Sequence, residues 1–263
     1  MKKYLYVIKT QIIKTLTYEF YVYGNIIMQT IIMITSAFFW KALYKNGSAA
    51  NGVDADDMLT YIIVSSMLSV LFTTNVERRI QISVEKGTVA TDMMKPVSIF
   101  GVYFAEDIGG VLALMLQNML PIFLIGSLLI KVPVMADLRD LPLFLAAVTE
   151  SFLINWLIAA LFGMIAFTAV NINALLQVKI HLVRLLSGSI IPLWFFPPAV
   201  SGVLSCLPFV YIYQLPISIF IGVGDRATQL REMMIQTLWL TALFILFLFV
   251  QKRVTKQVMV QGG

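Results

Sequence analysis

The chain has 263 residues, of which 59% are hydrophobic and 13% are charged. Soluble domains carry about 45–50% apolar and about 25% charged residues, so this composition excludes a soluble fold and requires lipid around part of the surface. The net charge of +5 comes from basic residues scattered between apolar runs. That pattern is typical of membrane topology and does not indicate nucleic-acid binding.

Residues 1–21 predict an amphipathic helix at the membrane interface. Leu5, Ile8, Ile12 and Leu16 share one helical face, and lysine and threonine side chains lie opposite. The alternative is that this stretch simply extends the first membrane span into the cytoplasm.

Six long apolar runs dominate the rest of the chain. They are Val22–Leu43, Met58–Asn75, Val102–Ile130, Leu141–Val170, Val183–Leu207 and Met233–Val250. A helical crossing needs roughly 20 apolar residues, whereas barrel strands alternate polar and apolar residues. We therefore expect an all-α membrane protein with six transmembrane helices in one domain, residues 1–263.

The basic residues predict the orientation of these spans. One side holds Lys2, Lys3, Lys9, Lys14, Arg78, Arg79, Lys86, Lys95, Lys179, Arg184, Lys252, Arg253 and Lys256. The other side holds Lys41, Lys45, Lys131, Arg139, Arg226 and Arg231. Because basic residues concentrate in cytoplasmic loops, both termini are predicted to be cytoplasmic.

Two segments between the spans are unusual. Residues 76–97 form a cytoplasmic loop of mixed charge with a short helix, which is the best docking surface that the chain offers to a soluble partner. Residues 192–224 hold five of the nine prolines, and proline interrupts a helix. We expect the fifth span to end near Pro197 and the following pieces to re-enter from the outer face.

Glu150 lies well inside the fourth apolar run, where a carboxylate is costly and usually faces a cavity or a partner. Asn155, Gln117, Asn118 and Gln29 could give it hydrogen bonds from other helices, which predicts a polar substrate path. The alternative is that Glu150 lies near the outer interface, because this run is longer than one span needs.

No motif for catalysis is present in the sequence. It has no Gly-x-x-x-x-Gly-Lys-Ser/Thr phosphate loop, one histidine and one cysteine. We expect a chain that is not itself an enzyme and that binds no metal or cofactor directly.

Two stretches resemble a known family. One is Glu85-Lys86-Gly87-Thr88 followed by Asp92-Met-Met-Lys95-Pro96-Val97-Ser98; the other is Ser187-Gly-Ser-Ile-Ile-Pro192-Leu-Trp-Phe-Phe-Pro197 with Leu207-Pro208-Phe209. Their order and positions resemble those of type-2 ABC export permeases over essentially the whole chain. Met93 and Met94 stand where leucines are commoner, a volume-conserving exchange.

The resemblance implies a permease that exports an amphipathic or hydrophobic compound. It implies two ATPase subunits, which bind ATP and magnesium, and a second permease that is identical or related. Residues Arg78, Arg79, Glu85, Lys86 and Gly87 would couple transport to the ATPase. Pro192, Phe195, Phe196 and Pro197 would form an outer gate. We expect a prokaryotic plasma membrane as the location.

Two other classes of function are considered. An ion-coupled secondary transporter would need several buried ionisable residues, and the sequence offers Glu150, Glu106 and Asp107. An intramembrane enzyme would need a metal cluster or a paired nucleophile and base, which the sequence does not contain.

Overall fold

The computed structural model describes residues 2–17, 19–45, 53–94, 96–169 and 171–261. The described residues form helices joined by turns, which confirms the predicted all-α architecture. In chain order the helices are α1 (Lys2–Thr17), α2 (Glu19–Tyr44), α3 (Ala55–Leu71), α4 (Val76–Glu85), α5 (Val89–Met93), α6 (Ile99–Leu114), α7 (Leu120–Leu129), α8 (Leu141–Met164), α9 (Asn173–Leu186), α10 (Pro198–Leu204), α11 (Val210–Ile221) and α12 (Arg226–Gln261). A π-helical turn, Met115–Met119, joins α6 to α7.

Within these ranges, five helical stretches are long and apolar enough to cross a membrane. They are Tyr23–Tyr44, Ala55–Glu85, Ile99–Leu129, Leu138–Phe167 and Arg226–Lys256. Each overlaps one of the predicted apolar runs. The second stretch joins α3 to α4 and the third joins α6 to α7, so two of the five are assembled from two helices each.

The predicted fifth run, Val183–Leu207, is not one continuous helix, and its first helix ends well before Pro197. Helix α9 ends at Leu186, and Gly188 then adopts a φ of +81°. A side chain is strained in that left-handed conformation, so glycine is favoured there. The amide of Gln214 donates to the carbonyl of Ser187 (3.1 Å), which fixes the chain where the helix stops.

Helices α3 and α11 form the centre of the bundle. Every residue from Met58 to Ser66 in α3 is buried, and so is every residue from Tyr211 to Ile219 in α11. Helix α3 packs against α2, α7 and α11, while α11 also packs against α8. Polar side chains on these two helices are therefore held inside the protein and not against lipid.

Helix α1 packs mainly against α6. The amide of Ser98 donates to the hydroxyl of Tyr4 (3.3 Å), next to the start of α6. On the predicted apolar face, Ile8 and Ile12 are half-buried, whereas Leu5 and Leu16 remain exposed. The apolar face is thus divided between the bundle and its surroundings.

Candidate functional site

Helices α4 and α5 follow one another in the stretch predicted as the coupling loop. They are joined by a turn in which Gly87 has a φ of +66°, a conformation that favours glycine. The amide of Thr88 donates to the carbonyl of Ser83 (3.0 Å), and the two hydroxyls lie 3.1 Å apart. The loop is therefore a compact, hydrogen-bonded element.

One face of this helical element is open to solvent. Arg78, Ile82, Glu85 and Lys86 of α4 and the following turn are exposed, and Met94 after α5 is 84% exposed. We call these five residues the coupling face. It combines both charges with apolar side chains, which suits a protein partner better than open solvent.

The opposite face of α4 is fixed inside the bundle. Lys179 of α9 donates to Glu77 of α4 at 2.6 Å, and both side chains are less than a tenth exposed. Gly163 of α8 packs directly on α4, because a β-carbon added there would lie 2.7 Å from the Cα of Glu77. Helix α4 is thus held against both α8 and α9.

Arg79 also points into the bundle and not onto the coupling face. Its guanidinium pairs with Asp107 (2.8 Å) and Glu106 (3.2 Å) of α6. Asp107 is buried and accepts a further hydrogen bond from the indole of Trp156 (3.0 Å). We call Glu77, Arg79, Asp107, Trp156 and Lys179 the inner polar network.

The sequence predicted Arg79 as a coupling residue but gave no signal for the rest of this network. Lys179 was counted as a cytoplasmic loop residue, whereas the structure buries it on α9. Its partner Glu77 is 102 positions away in the chain. The pairing depends on how distant helices pack, which hydropathy does not reveal.

A polar cleft of about 150 Å³ lies between α2, α3 and α9. Its polar lining consists of Gln29, Ser36, Tyr61, Ser65, Ser66, Ser69, Arg184, Ser189 and Tyr213. The sequence led us to count Arg184 on the cytoplasmic side, whereas the structure places it in the lining of this cleft. It faces residues from the middle of Tyr23–Tyr44 and Ala55–Glu85. If Lys179 and Arg184 are left out, 11 of the 13 basic residues counted on the predicted cytoplasmic side remain, against 6 on the other side. The predicted orientation therefore does not depend on these two residues.

Of the residues predicted to line a substrate path, Gln29 lies in this cleft and Asn155 does not. Asn155 is buried and donates to the carbonyl of Phe72 (2.7 Å), at the break between α3 and α4. Gln117 and Asn118 lie in the π-helical turn, where the described residues provide no hydrogen-bond partner for either side-chain oxygen.

Glu150 is placed away from the cleft. Its carboxylate accepts a hydrogen bond from Thr237 of α12 (3.0 Å) and is half-buried between α8 and α12. The structure therefore gives Glu150 a partner that the sequence did not suggest.

A hydrogen-bonded node lies beside the cleft, which Tyr61 lines. Tyr61 donates to the carbonyl of Gly188 (2.7 Å) and lies 3.1 Å from the side-chain oxygen of Gln214. The same oxygen accepts from the amide of Leu193 (3.1 Å). We call Tyr61, Gly188, Leu193 and Gln214 the Tyr61 node.

A second cavity lies on the far side of the Tyr61 node. It measures about 560 Å³, and its lining includes Trp194, Phe196, Gln214 and Glu232. The node therefore lies between the polar cleft and this second cavity, which we call the outer cavity after the predicted orientation of the spans.

The residues predicted as an outer gate lie next to the node. The ring of Phe195 is 4.4 Å from that of Trp40, near the end of α2. Phe196 lines the outer cavity, Pro192 is buried, and Pro197 is exposed before α10. These four residues thus lie around one end of the bundle, between α2 and α10.

The whole chain was compared with known proteins. A family model described as ABC-2 family transporter protein matches residues 7–261. A search of curated proteins gave no match. The family match extends over the coupling face, the polar cleft and the outer cavity, and it confirms the resemblance carried by the sequence motifs. The chain therefore belongs to the ABC-2 transporter family and is a membrane permease of an ABC transporter.

Proposed function

We propose that this chain is the membrane subunit of an ATP-driven exporter of an amphipathic or hydrophobic compound. Separate ATPase subunits would bind ATP and magnesium and dock on the coupling face. The observation that carries this proposal is the exposed side of α4, which holds charged and apolar residues while its other side is fixed in the bundle.

The proposed topology has six crossings. Helix α9 and the chain after it would make the fifth, and α10 and α11 would re-enter from the outer face. Two contacts support the re-entrant arrangement. The carbonyl of Phe220 at the end of α11 accepts from Ala136 in the loop after α7 (3.0 Å). The start of α11 lies deeper, because the carbonyl of Tyr211 accepts from Ser151 inside α8 (2.9 Å).

The inner polar network offers a route by which ATPase movement could reach the cleft. The Glu77–Lys179 pair connects α4 to α9, and α9 carries Arg184 on its next turns. The same helix leads directly to Gly188 of the Tyr61 node. A push on the coupling face would therefore displace α9 and loosen the node, which opens the cleft toward the outer cavity.

The distribution of exposed side chains supports a second permease, identical or related, on the α9 side. Gln177, His181 and Arg184 form an exposed polar stripe along α9, and such groups are costly against lipid. In contrast, α6 and α7 expose a row of leucines at every fourth position: Leu112, Leu116, Leu120, Leu124 and Leu128. The leucine row suits lipid, whereas the α9 stripe suits a transport path between two subunits.

The location of the ATPase can be tested by photo-crosslinking. Cys206 is first changed to serine, and a cysteine is then introduced at Ile82 and labelled with a benzophenone maleimide. Illumination of native membranes should join the labelled chain to a subunit with a phosphate loop. Leu128→Cys is the control, because Leu128 is an exposed leucine on α7 and should give no such adduct. If the ATPase purifies with the chain but is never crosslinked from α4, the proposed docking surface is wrong.

A further inference from the structure

The polar cleft contains four side chains whose hydrogen-bond donors are not used by any other described residue. Gln29, Ser36, Arg184 and Tyr213 line it, and none of their side chains makes a hydrogen bond to another described residue. The hydroxyls of Ser65 and Ser66, by comparison, already donate to the carbonyls of Ser189 and Ile62. Unused donors inside a membrane protein leave a polar site that a ligand or water can satisfy.

The charge in the cleft has one sign. Among the described residues, Arg184 is its only charged lining residue, and no described carboxylate forms an ion pair with it. The other basic residue of α9 next to the bundle, Lys179, is already neutralised by Glu77. An uncompensated guanidinium among neutral donors favours an anion, because guanidinium binds phosphate and carboxylate through paired hydrogen bonds.

The edges of the cleft are apolar. Ile32 on α2 and Ile190 after α9 line it, and they are 43% and 53% exposed. A ligand with its charged group among the four donors would therefore place any attached chain against isoleucine side chains. This combination matches an amphiphile better than a free anion.

From these observations, and resting on the proposed export function, we propose that the polar cleft binds the anionic headgroup of an amphiphilic substrate. Arg184 would hold the negative charge, and Gln29, Ser36 and Tyr213 would donate further hydrogen bonds. The apolar tail would leave the cleft between Ile32 and Ile190. The substrate class is thus an acidic amphiphile, such as a phosphate, sulfate or carboxylate on a hydrocarbon chain.

The test uses the purified complex of permease and ATPase in a neutral maltoside detergent. Binding of radiolabelled dodecyl phosphate is compared with binding of dodecyltrimethylammonium, which has the same tail and the opposite charge. We expect saturable binding of the phosphate amphiphile only. Arg184→Gln should weaken it by about tenfold or more, the loss expected for a charge-assisted hydrogen-bonding pair. Arg184→Lys should retain part of the affinity.

Arg253→Gln is the matched control, because Arg253 is an exposed basic residue near the end of α12, and it should bind like the wild type. Equal binding of both amphiphiles by the wild type would overturn the proposal even if the Arg184 variants failed to fold. Unchanged binding by Arg184→Gln would also overturn it. Competition by inorganic phosphate as strong as that by dodecyl phosphate would show a free-anion site instead.

The outcome can be separated from the export function itself. The ATPase activity of the complex and the crosslink from Ile82→Cys report coupling without any substrate. If both persist while dodecyl phosphate binding is absent, the substrate inference alone fails. If the complex shows no ATPase activity and Ile82→Cys gives no crosslink, the proposed function itself fails.

Discussion

Lys179 forms a buried ion pair with a single partner. Its ammonium group lies 2.6 Å from the carboxylate of Glu77, and both side chains are less than a tenth exposed. A buried pair gains little net stability, since desolvation offsets the attraction, but removing one partner leaves a buried charge uncompensated. The pair therefore fixes the register of α4 against α9 more than it stabilises the fold.

We predict that Lys179→Met lowers the free energy of unfolding by about 3–5 kcal/mol. The double variant Glu77→Leu/Lys179→Met should recover most of that loss, because no buried charge remains. Unfolding in detergent, followed by circular dichroism against denaturant, measures both values.

The control for this prediction is Lys131→Met. Lys131 pairs with Asp56 at 2.9 Å, but both side chains are at least a third exposed, so the loss should be below about 1 kcal/mol. Equal losses of unfolding free energy for Lys179→Met and Lys131→Met would contradict the view that the Glu77–Lys179 pair is excluded from solvent.

At the scale of elements, the long apolar runs predicted most of the helices. The five runs whose hydropathy stays high throughout correspond to five helical stretches. A long apolar run in lipid must be helical, because a helix satisfies its own backbone hydrogen bonds. The sequence predicted the end of the helix near Pro197, whereas α9 ends at Leu186. Hydropathy gives no sign of this earlier break, since Gly188 is followed by further apolar residues. Its position depends on Tyr61 and Gln214, which meet this segment only in the folded protein.

The contact between α4 and α8 predicts that alanine has different effects on stability at two glycine positions. A β-carbon at Gly163 would lie 2.7 Å from the Cα of Glu77, whereas one at Gly110 would meet no atom within 4 Å. Gly163→Ala should therefore destabilise the protein by about 1–3 kcal/mol through overpacking, and it should displace α4.

Gly110→Ala is the matched change within a helix, and it should be neutral or stabilising by up to about 1 kcal/mol. Thermal unfolding of both variants, with the ATPase activity of the complex, provides the comparison. A Gly163→Ala protein that unfolds like Gly110→Ala, with full activity, would show that α4 can move away from α8 without consequence.

At the scale of the whole molecule, the coupling face, the polar cleft and the Tyr61 node follow one another along the bundle. The coupling face leads through the Glu77–Lys179 pair to α9, and α9 leads to the polar cleft and the Tyr61 node. Motif position pointed to Arg78, Glu85, Lys86 and Gly87, which the structure leaves exposed on α4 and the turn after it; their part in coupling stays a prediction.

The cleft was not predictable, because its lining comes from four separated parts of the chain. Positive charge was interpreted as a sign of cytoplasmic loops, so Arg184 was not considered as a lining residue of a cleft. Only Gln29 of the predicted path residues lies there. Which polar residues converge is decided by helix packing, and hydropathy does not contain that information.

The most direct test of the account is the composition of the complex in native membranes. The tagged chain is extracted in mild detergent, and the proteins that purify with it are identified and the mass of the complex is measured. We predict a subunit with a phosphate loop, present in two copies, together with two permeases. One permease species would indicate a homodimer and two species a heterodimer. Recovery of the chain without an ATPase in several detergents, and also after crosslinking, would contradict the account and favour an ion-coupled transporter.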